Sequence, residues 1–175
     1  NTYNAGTAEV SGLELDILAQ LTAQLSVSLD YAYLDWSIDE VNHPVSGQDI
    51  SEQFVLPYAP ENAYTASLDY QFGESSLGDF WLNLSYSWQD SHYATAGTGA
   101  SAQQKAFWEI DSYGLLNARL TLTAAAVKTG ELRLALWGKN IQDKDYVSHR
   151  FTAGAGSTIA YNEPRSFGLD IIYEF

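Results

Sequence analysis

Apolar and polar residues alternate along most of the chain with a period of two, and helical spacing is hard to find. "SGLELDILAQ" sets Leu13, Leu15, Ile17 and Ala19 against Glu14 and Asp16. "LSVSLDYAY" sets Leu25, Val27, Leu29, Tyr31 and Tyr33 against Ser26, Ser28, Asp30 and Ala32. "NAYTASLDYQF" and "FWLNLSYSW" repeat the pattern, with Tyr64, Ala66, Leu68, Tyr70 and Phe72, then Phe80, Leu82, Leu84, Tyr86 and Trp88, on the apolar side. "GLLNARLTL" and "ELRLALWGK" carry Arg119 and Arg133 on their polar sides, and "SFGLDIIYEF" ends the chain on Phe175. Successive side chains of a strand point to opposite faces, so these segments predict seven strands with one apolar and one polar face each.

The connections between them alternate in length. Short ones fall near residues 21–24, 73–79 and 126–130, and long ones near 40–61, 94–111 and 141–161. The long ones are rich in Gly, Ser, Ala and acids and are expected to lack regular structure. Compact soluble domains rarely carry such loops, whereas outer-membrane barrels have tight turns on one rim and long loops on the other.

A soluble β-sandwich, for example a glycan-binding module using exposed aromatics, also alternates apolar with polar residues. Three features favour the barrel. Glu14, Asp16, Asp30, Asp69, Arg119, Arg133, Asp170 and Glu174 all lie on the polar sides. A base facing lipid at mid-bilayer costs about 2–4 kcal/mol, so a membrane wall requires that segregation. Large aromatics such as Tyr31, Tyr33, Tyr70, Phe72, Phe80, Trp88, Phe167 and Tyr173 sit toward the ends of the apolar sides, where interfacial girdles need them. Counting back from Phe175 also puts every short turn at the same end.

Composition narrows the function. Apolar residues at 46% and charged residues at 17% exclude a disordered chain. Twenty-two acids against eight bases, a net charge of −14, make nucleic acid a poor partner. The absence of cysteine removes disulfides, thiolate metal sites and cysteine nucleophiles. No segment reaches the ~20 apolar residues of a membrane helix. The start has no signal-peptide pattern and the chain has no methionine, so it reads as a piece of a longer protein.

The stretches "NAGTAEVSGLELDI", "PYAPENAYTASLDYQF", "LRLALWGKNIQDKDY" and "EPRSFGLDIIYEF", in that order, resemble the C-terminal barrel strands of TonB-dependent outer-membrane receptors. The resemblance spans essentially the whole chain. It implies an all-β antiparallel transmembrane barrel segment, with residues 1–175 as the last seven strands of a barrel of about 22 around a plug. The plug and the earlier strands are then absent from this segment. The implied setting is the outer membrane of a Gram-negative bacterium, with outer-membrane lipid against the wall. The implied role is uptake of a scarce ligand, most often a ferric siderophore, driven by TonB through the absent N-terminal part. In such receptors a terminal aromatic with alternate apolar residues is read by the barrel-assembly machinery, which here selects Phe167, Leu169, Ile171, Tyr173 and Phe175.

No catalytic set, metal site or cofactor is expected. His43, His92 and His149 are far apart in sequence, in or beside loops, and read as solvated. "GTG" at Gly97–Gly99 and "GAG" at Gly154–Gly156 lack the context of a phosphate loop and read as flexible tips. "DKD" at Asp143–Asp145 fits no EF-hand spacing and reads as a turn capping the rim. Asp39, Glu40, Asp49 and Glu52 make one connection acidic, as a solvated loop or as a bridge through divalent cations to anionic lipopolysaccharide. Ligand contact is expected from the loops, at Phe107, Trp108, His149 and Tyr161, because binding concentrates there. It is also expected from polar-side groups, at Tyr113, Arg119 and Arg133, since a guanidinium fork suits anionic ligands.

Overall fold

A computed structural model describes residues 6–73, 75–99, 101–124, 130–153 and 156–175. The elements in chain order are β1 (Gly6–Gln20), β2 (Leu25–Val41), β3 (Asn62–Gln71), β4 (Gly78–Gln89), β5 (His92–Tyr93), α1 (Ala102–Trp108), β6 (Glu109–Ile110), β7 (Tyr113–Ala124), β8 (Glu131–Lys139), β9 (Val147–Ala153), β10 (Gly156–Tyr161) and β11 (Ser166–Glu174). Seven of them form one antiparallel sheet in the order β1-β2-β3-β4-β7-β8-β11, a meander in which each long strand pairs with the next. Every predicted strand is present. Pro44, Pro57, Pro60 and Pro164 all fall in connections, so proline removes no donor from the sheet ladder.

The register keeps the two faces separate. Asp16 pairs with Asp30, Asp30 with Thr65, and Thr65 with Ser87, a polar row across four strands. Tyr31 pairs with Tyr64 and Tyr64 with Trp88 on the opposite face. That face carries aromatic clusters at both ends. Tyr64 stacks on Trp88 at 5.5 Å near the long connections, and Tyr70, Phe72 and Phe80 meet edge to face at 4.9 and 6.5 Å near the short turns. Leu82, Leu84, Ala118 and Leu120 lie between them.

No second sheet covers this apolar face among the described residues; Leu13, Leu136 and Ile171 are each at least 60% exposed. A sandwich buries such residues between two sheets. The structure therefore gives the soluble sandwich no support and is that of a partial barrel, with β1 and β11 as its two edges. No described helix is long and apolar enough to cross a membrane.

β1 and β2 run longer than their neighbours, over 15 and 17 residues. A tilted strand crosses a bilayer in about 9–11 residues, so this hairpin projects beyond the rim. Its polarity inverts where it does. Val10, Leu34, Trp36 and Ile38 share the face of Glu14 and Asp30, while Glu9, Ser11, Asp35 and Ser37 share the face of Leu13 and Tyr33. Glu9 and Asp35 are thus strand charges on the otherwise apolar side, an exception to the segregation read from sequence. Above the apolar band that side meets water, and a carboxylate there keeps its hydration. A bulge between Thr7 and Ala8 shifts the register, and pairing continues to Gly6 and Val41.

The long connections are not structureless. They contain the short β5–β6 pair, α1, the β9–β10 hairpin and a 3-10 turn at Ser51–Gln53. The buried apolar residues Val41, Val55, Ala59, Ala94 and Ile110 lie among or beside them. This end of the sheet holds its own small core.

Candidate functional site

The three long connections are cross-linked into one cap. Between the first and second, Val55 N–H donates to Ala96 O, Tyr58 N–H to Tyr93 O and Thr98 N–H to Gln53 O, each at 2.9 Å. Thr98 is only 1% exposed, and Gly97 bridges to Phe54. "GTG" is therefore a pinned segment, not a free tip, because its backbone groups pair with the neighbouring connection. Gly154 and Ala155 of "GAG" lie outside the described residues, and Gly156 opens β10.

α1 forms over "AQQKAFW" because Ser101 caps it. Ser101 Oγ accepts from Gln104 N–H at 3.2 Å, and Gln104 Oε1 accepts from Ser101 N–H at 3.1 Å. These are the two halves of a capping box. At the far end of the helix, Phe107 and Trp108 meet edge to face at 4.9 Å.

β9 is gripped on both faces. His149 lies 5.3 Å from Tyr58 of the first connection, and the Arg150 guanidinium lies 5.5 Å over Phe107 of the second. Neighbouring residues of a strand point opposite ways, so one strand engages both connections at once. Tyr58 also lies 5.8 Å from His92, which is buried. His92 and His149 are therefore brought to one ring, against the sequence expectation of three separate solvated imidazoles. His43 stays apart, its Nδ1 accepting from Val45 and Ser46 N–H.

Tyr58 itself has a φ of 52°, the left-handed region that disfavours a bulky side chain. Such a conformation costs on the order of 1 kcal/mol or more and persists where the surroundings impose it.

The third connection begins with "NIQDKDY". Asn140 is buried, with Nδ2 donating to Lys144 O at 3.0 Å and Oδ1 accepting from Lys144 N–H at 2.9 Å. Its own N–H donates to Asn117 Oδ1 at 3.0 Å, which ties the turn to β7. Asp143 accepts from Arg165 N–H and pairs with its guanidinium at 3.3 Å. Among the described residues no group of three or more His, Asp or Glu side chains is placed to hold a metal ion. In the acidic connection, Asp49 accepts from Ser51 N–H at 2.9 Å, and that hydrogen bond holds its carboxyl below the usual carboxylate range.

The residues expected from sequence divide into three groups. Phe107, Trp108 and His149 belong to the cap, and Tyr113 stands at its foot, stacked on Tyr146 at 3.6 Å and 12°. Tyr161 ends β10 and is mostly exposed, one residue past Ala160, the register partner of His149. Arg119 and Arg133 lie on the polar face of the sheet, and each fork is taken by the chain's own carboxylates. Arg119 pairs with Asp170 at 2.8 Å; Arg133 pairs with Glu131 at 2.8 Å and with Glu174. Arg133 lies at the short-turn end, a strand length from the cap. Sequence reasoning missed Tyr58, Tyr146 and Arg150. "LPYAP", with an aromatic between two prolines in a connection, was the available signal for Tyr58.

Along the β11 edge of the sheet, Phe167, Leu169, Ile171 and Tyr173 line the apolar face and are each at least 45% exposed, and Phe175 follows them at the short-turn end, its ring 6.3 Å from that of Tyr173.

Comparisons agree with this geometry. A family model described as "TonB dependent receptor-like, beta-barrel" matches residues 1–141. The probable TonB-dependent receptor BfrD of Bordetella pertussis is 28% identical over 156 residues, 87% of this chain and 20% of that protein. The ferric yersiniabactin uptake receptor FyuA of Yersinia pestis superposes with a TM-score of 0.74 at 18% identity, over 98% of this chain and 24% of that one. The ferric citrate transporter FecA in its unliganded form gives 0.68 at 23% identity, over 93% and 23%. The siderophore receptor PiuA of Acinetobacter baumannii gives 0.66 at 21% identity, over 94% and 21%. The chain thus spans about a fifth of the curated relative's length. The structural likenesses, all at low identity, speak to the fold.

Proposed function

Because the chain belongs to the family of TonB-dependent receptor β-barrels, we propose that residues 1–175 are the C-terminal part of an outer-membrane receptor that takes up a scarce ligand, a ferric siderophore in this reading. The observation that carries it is a single-layer sheet with one apolar face, one polar face and a cross-linked cap at one end. An apolar outside and a polar inside make a wall for an aqueous path. The ferric ligands named for FyuA and FecA, and the siderophore-receptor role of PiuA, support the iron-complex reading by analogy.

In this reading the wall carries out no chemistry. Its strands face outer-membrane lipid on one side and the plug on the other, and its edges join the remaining strands of the same receptor, because lipid leaves no unpaired backbone satisfied. TonB engages the N-terminal part of the parent and supplies the energy. Ligand contact falls on the cap, at Phe107, Trp108, Tyr113, His149 and Tyr161. Arg119 and Arg133, with their forks occupied, serve the wall. The β11 row ending in Phe175 is the segment that the barrel-assembly machinery reads.

The test is uptake by the full-length receptor in cells. Binding is expected without energy, and accumulation only with TonB and the proton-motive force present. Accumulation that persists after loss of TonB, at concentrations too low for diffusion, identifies a passive pore instead.

A further inference from the structure

We propose that Tyr113 and Tyr146 form a site of oxidative modification, where a peroxide oxidant joins the two phenol rings by a carbon–carbon bond and fastens the third connection to the wall. The proposal is independent of what the receptor carries.

Their stack is unlike the other ring contacts among the described residues. The two rings lie face to face at 3.6 Å and 12°. The other pairs keep at least 4.9 Å between centroids, and none is so nearly parallel. Ring faces are negative and repel, so offset or edge-to-face pairs at about 4.5–7 Å are the favoured ones. Packing alone does not ask for this geometry; coupling does.

The backbone holds both rings in place. On the wall side, Tyr113 opens β7, where Leu116 O accepts from Ile141 N–H at 2.9 Å and Asn117 Oδ1 from Asn140 N–H at 3.0 Å. On the other side, Tyr146 O accepts from Asn162 N–H at 3.1 Å. The Tyr146 side chain hydrogen-bonds the Tyr113 hydroxyl, so the two oxygens share one end of the stack. The carbons ortho to oxygen in one ring therefore face those of the other. A cleft of about 410 Å³, lined by Ser112, Tyr113, Gln142 and Lys144 among others, admits a small oxidant to the pair.

Each phenol gives up one electron and its hydroxyl proton, which leaves unpaired spin on the ortho carbons. Two facing ortho carbons pair those electrons as a new C–C bond. The hydrogen on each joined carbon then moves to its own ring oxygen and restores the phenol. The two electrons removed break one peroxide O–O bond, and the two protons pass to solvent. A chain without cysteine has no disulfide to do this work. Because β9 of the same connection engages Tyr58 and Phe107, one link ties the whole cap to β7.

The experiment illuminates the dilute, purified full-length receptor with ruthenium tris(bipyridine) and peroxydisulfate, then maps linked peptides by mass spectrometry. The link between Tyr113 and Tyr146 should exceed every other tyrosine–tyrosine link by about tenfold or more, since fixed proximity replaces chance encounter. Tyr64 and Tyr86, 6.1 Å apart at 44°, are the contrast pair and should link little. Tyr113→Phe and Tyr146→Phe keep a ring in the stack but have no hydroxyl proton to lose. Each should remove the link while the thermal midpoint holds. Unfolding the wild type in urea before illumination should remove the preference too, a comparison that needs no variant. Links scattered over exposed tyrosines such as Tyr161 would overturn the proposal. So would hydroxylated rings with no link, or a Tyr113–Tyr146 link as frequent in urea as in the folded receptor.

Discussion

The indole Nε1 of Trp137 donates to Asp170 Oδ1 at 3.0 Å across β8 and β11, while the other oxygen of that carboxylate pairs with Arg119 of β7 at 2.8 Å. One acid thereby ties three strands by side chains on the polar face. Among the described residues β11 pairs by backbone with β8 alone, so this link adds β7 to what holds the last strand. The indole lies over Gly168, its direct register partner.

Asp170→Ala removes both bonds, whereas Arg119→Ala removes one. Both side chains of the ion pair are about 40% exposed, so solvent screens the pair and the effects are modest. Asp170→Ala is expected to lower stability modestly, and Arg119→Ala by less. The two losses should be non-additive, since they share a partner. Urea unfolding of the full-length receptor in lipid vesicles measures the order. Equal and additive losses would remove the shared-carboxylate account.

Gly168→Ala places a methyl group where the Trp137 ring lies. Overpacking of this kind costs roughly 1–3 kcal/mol, and here it also pushes the indole off Asp170. The same unfolding assay should show the loss, and Trp137→Leu in the Gly168→Ala background should return most of it. If Gly168→Ala is neutral alone, the close approach of ring to backbone does not matter to stability.

Much of the sheet was legible because its signal is local. The period of two in "FWLNLSYSW" fixes which residues share a face before any partner is known, and β4 carries that assignment unchanged. The cap was not legible, because its contacts join residues far apart in sequence. Tyr58, His92 and His149 meet only once three connections fold over one another, and nothing near His149 in the chain announces Tyr58. α1 was hidden for another reason. "AQQKAFW" is too short to show a helical period, and its stability comes from a single cap at Ser101. The projecting ends of β1 and β2 were missed because the apolar phase slips by one residue at Leu34, which reads as the end of a strand although the ladder continues.

Asp49 makes the first connection sensitive to acid. Its folded-state pKa lies below the ordinary value of 3.8, first through the hydrogen bond from Ser51 N–H. A depressed carboxylate contributes stability that is present above the unfolded value and lost as pH falls through the folded one. The protection factor of the Ser51 amide in hydrogen exchange should therefore hold at neutral pH. It should fall as the pH drops through and below 3.8. Asp49→Asn should show no such step. A Ser51 amide whose protection ignores pH in the wild type, or steps alike in both, contradicts the assignment.

The central claim is that β4 and its neighbours are a membrane wall with lipid on one face and the receptor interior on the other. Spin labels placed singly along β4 of the full-length receptor, reconstituted in lipid, test it most directly. Labels at Leu82, Leu84 and Tyr86 are expected to be relaxed by a lipid-soluble reagent, and labels at Asn83, Ser85 and Ser87 to be shielded from it. The accessibility should alternate with a period of two across the strand. Labels that are equally accessible on both faces, or uniformly buried away from lipid on the Leu82 face, contradict the account.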